Sequence, residues 1–182
     1  MSKLFNEINV IDHTISDIKT TKSGNEYINF EPQISMILRD VRVYSSIEKR
    51  GQHKVLKLSV AISDEQADKI KEIEKHFQCK NTTYTSEKGY NYLYINEWIY
   101  SNKIKATILN SKREKQTTDV STLSINIDDH KKYFNLVVCI PKINISKTDV
   151  RYLNVQLQTI VFTDNEYERR DPVDEIPDEL IL

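Results

Sequence analysis

The residues best suited to recognising another molecule lie between Gly89 and Tyr100, in the run GYNYLYINEWIY. Alternate side chains of an extended chain point to opposite faces. Tyr90, Tyr92, Tyr94, Trp98 and Tyr100 then fall on one side, and Leu93, Ile95 and Ile99 on the other. The aliphatic side suits a core. The aromatic side stands where water would favour polar groups, and rings on a sheet face suit stacking on unpaired bases, at about 1–3 kcal/mol per base. The alternative use of the same rings is to fill the core or pair across strands, with their hydroxyls at the rim.

Cations accompany these rings. Lys103 and Lys105 are expected to share a face of the next strand, and Lys112, Arg113 and Lys115 to sit in the loop that follows. Arg39, Arg42, Lys49, Arg50, Lys54 and Lys57 crowd an earlier hairpin, with Tyr44 among them. A phosphate backbone needs cations spread along a groove to displace its counterions. Lysines on strand edges also serve simply to block aggregation. The expected contact set is the five rings with Arg42, Tyr44, Lys49, Arg50, Lys54, Lys103, Lys105, Lys112, Arg113 and Lys115.

Nothing comparable points to catalysis. His13, His53, His76 and His130 are scattered, and only His76 has a close partner, Cys79. Two ligands do not make a zinc site, and neither CxxC nor HExxH occurs. With three glycines in the whole chain, a glycine-rich phosphate cradle is out of reach, and GxSxG is absent. Asp128-Asp129-His130 falls where a turn is expected. The expectation is a non-enzymatic protein without metal or cofactor. Cys79 and Cys139 read as ordinary thiols of a reducing, cytoplasmic setting. No run approaches the roughly 20 apolar residues of a membrane span, and the first ten residues lack a signal-peptide core.

The elements that must position these side chains read mostly as strands. At 182 residues, 29% charged and 38% hydrophobic, the chain fits one folded domain. Apolar residues from Ile8 to Ile18 open it, and a turn cluster at Thr20–Asn25 precedes an extended run through Tyr27, Ile28 and Phe30. Val41 and Val43 then alternate against Arg42 and Tyr44, and after a turn at 48–52 Leu56, Leu58 and Val60 share one parity. Ser63 and Gln66 match a capping box, followed by Ala67, Ile70, Ile73 and Phe77 at helical spacing. This predicts one helix over about 64–78, within the usual boundary error. Further strands are expected near 90–100, 103–110, 120–127, 133–140 and 150–162, again within that error. Strands interrupted by one helix, with no βαβ alternation, favour a mainly β, OB-like antiparallel barrel. Residues 1–164 are expected to form this domain, with 165–182 a disordered acidic tail.

Charge is unevenly placed. Residues 171–182, DPVDEIPDELIL, hold five acids and no Lys or Arg, and removing them from the net −1 leaves +4 on the rest. Asp174, Glu175, Asp178 and Glu179 can compete with nucleic acid for a cationic groove, while Ile181 and Leu182 offer an apolar tip to a partner.

The helix after a hairpin, the aromatic strand, the late strand VRYLNVQLQ (Val150–Gln158) and the acidic tail together resemble the replicative single-stranded DNA-binding proteins of double-stranded DNA phages and large DNA viruses. The resemblance implies an OB fold, binding without strong sequence preference, and a tail that recruits polymerase and helicase. It implies a bacterial host cytoplasm for a phage protein, or the host replication compartment for a eukaryotic virus. Family tails commonly end in phenylalanine, whereas this one ends in Leu182. The residues themselves leave RNA and a homo-oligomer open. They also leave open a β-rich protein-interaction module, of virion or host-targeting type, whose aromatic face meets a protein.

Overall fold

β-Branched and aromatic residues dominate the chain from Tyr27 to Tyr44, and in the computed structural model this stretch belongs to one long strand. The structure describes residues 3–4, 13–127 and 132–166. Three short strands, β1 (Lys3–Leu4), β2 (Thr14–Ile15) and β3 (Lys19–Thr20), line the first half of the 25-residue β4 (Glu26–Arg50). The hairpin partner β5 (His53–Ile62) leads into helix α1 (Asp64–His76), then β6 (Thr83–Thr85) and β7 (Asn91–Ile99). The chain continues through β8 (Thr107–Leu109), α2 (Val120–Ile127), β9 (Lys132–Ile145) and β10 (Arg151–Glu166).

The sheet order is β6-β7-β5-β4-β9-β10-β8, so β4 is shared by two halves. Its first part pairs with β9, and its second part, from Arg42 onward, pairs with β5. Two register shifts make this sharing feasible. One lies between Asn29 and Ile34, where Pro32 has no N–H to give a ladder. The other lies between Leu38 and Val41, where Asp40 takes a left-handed φ of 49° and its N–H donates to Asn135 Oδ1 at 2.9 Å. At this second bulge the inward parity changes: Met36 and Leu38 face the core before it, Val41 and Val43 after it.

The result is an open, OB-like barrel. β7 and β10 meet without a ladder, through the Leu157 N–H donating to Glu97 Oε1 at 2.7 Å, and between α1 and β6 the Lys80 N–H donates to Arg151 O of β10 at 2.8 Å. Helix α1 plugs one end. Its stripe of Ala67, Ile70, Ile73 and Phe77 is buried, and Phe77 packs edge-on against Phe30 at 4.8 Å between centroids. The capping box is formed as read, with Gln66 N–H donating to Ser63 Oγ and Ser63 N–H to Gln66 Oε1.

Two expectations are corrected. Residues 120–127 form a second helix, not a strand. Val120, Leu123 and Ile127 are buried at helical spacing, and Asp119 Oδ1 accepts the Ser121 N–H at 3.0 Å as an N-cap. The strand expected over 103–110 shrinks to β8, which pairs in parallel with β10. Lys103 and Lys105 therefore lie in a turn and a bend. The early strand through Ile8, the Asp128–His130 turn and the acidic tail fall outside the described residues. No described helix is long and apolar enough to cross a membrane.

Candidate nucleic-acid interface

Partners in a ladder share a face, so the register builds the outer surface of β4, β5, β7 and β6 rung by rung. Arg42, Ala61, Tyr92 and Tyr84 form one rung. Tyr44, Ser59 and Tyr94 form the next, followed by Ser46, Lys57 and Asn96, and then Glu48, Val55 and Trp98. The opposite parity holds Val43, Val60, Leu93, Leu58 and Ile95, all in the core. The expected division of the aromatic strand, with Leu93 and Ile95 inward, is observed.

The rings are not equally available. Tyr44 and Tyr92 are buried against each other, with centroids 6.3 Å apart, and Ala61, Tyr84 and Tyr94 pack around them. Of the two uses left open for these rings, Tyr92 takes cross-strand packing: Tyr84 on the neighbouring β6, and Tyr44 on β4 beyond Ala61 of the intervening β5, shield it from water. Burial, with Tyr44 second, pushes the Tyr92 phenol up to about 12, and burial likewise raises Tyr94. These groups stay neutral at physiological pH and can lie beside phosphates without repelling them. Tyr90, Trp98 and Tyr100 are 41%, 46% and 54% exposed. Trp98 is braced edge-on by His53 at 5.8 Å.

Charge on this face is partly self-neutralised. Glu48 Oε1 accepts from Lys57 Nζ at 3.1 Å, and Glu48 Oε2 from Arg50 at 3.2 Å. The Lys57 hydrogen bond is the largest influence holding the Glu48 carboxyl below its ordinary value. Lys57 Nζ also lies 5.4 Å from the Tyr94 ring centroid. The face thus presents phenols packed at a tilt, an exposed indole and cations held in place.

No family model matches this chain, and no curated protein matches it. Its fold is shared with a phage protein. The single-stranded DNA-binding protein from bacteriophage Enc34 superposes with a TM-score of 0.52 at 10% identity, over 90% of this chain and 98% of that one. A C-terminal truncation of the phage protein gives 0.49 at 11% identity, over 83% and 98% of the two chains. Its complex with single-stranded DNA gives 0.48 at 12% identity, over 86% and 95%. At such identity the likeness shows the fold.

The remaining expected residues divide by position. Lys49 and Lys54 pair with each other, and Lys54 pairs with Ile99, so the register turns both away from the Tyr44 face. Tyr100 and Lys103 close a tight turn, and Lys105 Nζ sits 5.9 Å from the Tyr100 ring. Lys112, Arg113 and Lys115 occupy the turn after β8, at the far edge of the sheet order. There Arg113 and Arg39 border an open groove of about 590 Å³ floored by Ile37, Val137 and Val161. Among the described residues, no group of three or more His, Cys, Asp or Glu side chains is placed to hold a metal. Lys57, His53 and Tyr84 belong to the aromatic face but not to the expected set. The signal for Lys57 was legible, since it alternates with the inward Leu56 and Leu58.

Proposed function

We propose that the chain binds single-stranded DNA without catalysis and with little sequence preference, through the outer face of β4, β5, β7 and β6. The observation that carries this reading is the register that sets Tyr44, Tyr92, Tyr94 and Trp98 on one face with Arg42 and Lys57. Trp98, Tyr90 and Tyr100 stack on bases; Tyr94 continues the platform; Arg42, Lys57, Lys103 and Lys105 neutralise phosphates. The fold shared with a phage protein named for single-stranded DNA binding supports it. The activity belongs to replication, recombination or repair. The acidic segment through Asp174, Glu175, Asp178, Glu179, Ile181 and Leu182 serves as the tether for replication proteins.

The sole tryptophan makes the test direct. Titration with oligo(dT) should quench Trp98 fluorescence, saturate, weaken steeply as salt is raised, and resist competition by duplex of equal length. Unchanged fluorescence and elution volume at saturating oligo(dT) in low salt would reject the reading. The aromatic face would then be assigned to a protein partner, sought by co-purification after nuclease treatment.

A further inference from the structure

The other half of the sheet carries a second aromatic and cationic surface. Register places Lys19 beside Tyr27, Tyr27 beside Asn144, and Asn144 beside Tyr152, with Lys80 bridged to Tyr152 in parallel. The adjoining rung is Asn29, Lys142 and Asn154. Between the two rungs, Ile28, Ile143 and Leu153 point into the core, so both rungs stand on the outer face. Lys142 Nζ lies 4.9 Å from the Tyr27 ring centroid, close enough for a cation–π contact. Lys19 and Lys80 are exposed, and Tyr27, Tyr152 and the three asparagines are half-buried, keeping ring edges and amides accessible.

The composition of these two rungs separates them from an ordinary solvated face. They hold two phenols, three lysines and three amides and no carboxylate. Among the described residues none of the three lysines makes an ion pair, whereas Lys57 and Arg50 on the first face share Glu48. An unpaired lysine keeps its own counterions and releases them when a phosphate arrives. Amides add hydrogen-bond donors and acceptors without net charge.

We propose that this surface is a second contact face for the same single strand, with Tyr27 and Tyr152 against bases and Lys19, Lys80 and Lys142 on phosphates. The inference rests on the single-strand reading above. The long strand β4 joins the two faces: Tyr27 and Tyr44 lie on it, and at about 3.3 Å per residue they are at most roughly 56 Å apart. A short oligonucleotide occupies the first face alone, and only a longer one reaches both.

The test compares oligo(dT) of about 8 and about 30 nucleotides, below and beyond the upper end of OB site sizes. It uses the full chain and the variant Lys19→Ala/Lys80→Ala/Lys142→Ala, with folding checked by circular dichroism and thermal melting. The long oligonucleotide should bind the variant about 30-fold more weakly at 50 mM salt, with the gap closing to about twofold at 200 mM, because three lost phosphate contacts lower the salt slope by about 2. Binding of the short oligonucleotide, read by Trp98, should be unchanged. Equal weakening of both lengths, or an unaltered salt slope for the long one, would overturn the second face. Failure of the unmodified chain to bind either length is a different result and rejects the single-strand reading itself.

Discussion

Glu97 lies on the aromatic strand yet on its inward parity, paired with Leu56 in the core. Its carboxylate accepts the Leu157 N–H of β10, so one buried side chain ties the two strands together. Burial is the largest influence on Glu97 and raises its pKa, opposed by the Leu157 hydrogen bond and the Lys105 charge. The native state therefore holds the Glu97 proton more tightly than the unfolded chain. That contribution to stability is full below the ordinary glutamate range and is lost as pH rises through the raised folded value. Glu97→Gln keeps an acceptor for Leu157 and removes the buried charge. In urea melts it should match or exceed the unmodified protein at about pH 8, with the advantage shrinking towards about pH 5. Glu97→Ala strands the Leu157 N–H and should cost about 1–3 kcal/mol at both pH values. If Gln proved as damaging as Ala at the higher pH, the carboxylate charge itself, not its acceptor oxygen, would be holding β7 to β10.

A single bulged residue in β4 decides which way the proposed binding side chains point. Before Asp40 the even positions face inward, and after it Arg42 and Tyr44, also even, face outward. Asp40 sits at a φ of 49°, which glycine adopts freely and a β-branched residue does not. Asp40→Gly should fold normally and hold the same face. Asp40→Val should cost about 1–2 kcal/mol in denaturant and weaken oligonucleotide binding as the Arg42–Tyr44 segment loses its register. An Asp40→Val protein with undiminished stability would place the strand's turn-over elsewhere. The parity of Val41 against Arg42, and of Leu93 against Tyr92, was legible in the sequence, as was the capped stripe of α1. The bulge was marked only by the consecutive charges Arg39-Asp40, which break the alternation between Leu38 and Val41 without telling whether the strand continues through them. Helix α2 was hidden differently. Its Val, Ile and Thr residues favour strands, and the signals that win are the Asp119 cap and the burial of Val120, Leu123 and Ile127 on one side. The burial of Tyr92 likewise depends on Tyr44 arriving from a distant strand, which no reading of the 90–100 segment contains.

At the scale of the whole molecule, a body of +4 is joined to a terminal segment of −5. Two such charges on one chain attract at low ionic strength and are screened beyond about 8 Å at physiological salt. On the proposed reading, the acids and the DNA compete for the same lysines and arginines, and every cation the segment occupies is one fewer for phosphate. Deleting residues 171–182 should therefore tighten single-strand binding severalfold at low salt, with the gain fading as salt approaches about 0.2 M. Two further variants separate charge from shape. Neutralising Asp174, Glu175, Asp178 and Glu179 to the corresponding amides should reproduce most of the gain. Ile181→Ser with Leu182→Ser should leave DNA affinity where it was, because an apolar tip adds nothing to competition for cations. Tightening by the apolar pair alone would mean that the tip docks on the body and the acids merely follow it. Unchanged or weaker binding after deletion would remove the competition altogether, and the segment would then act through its partners or through solubility.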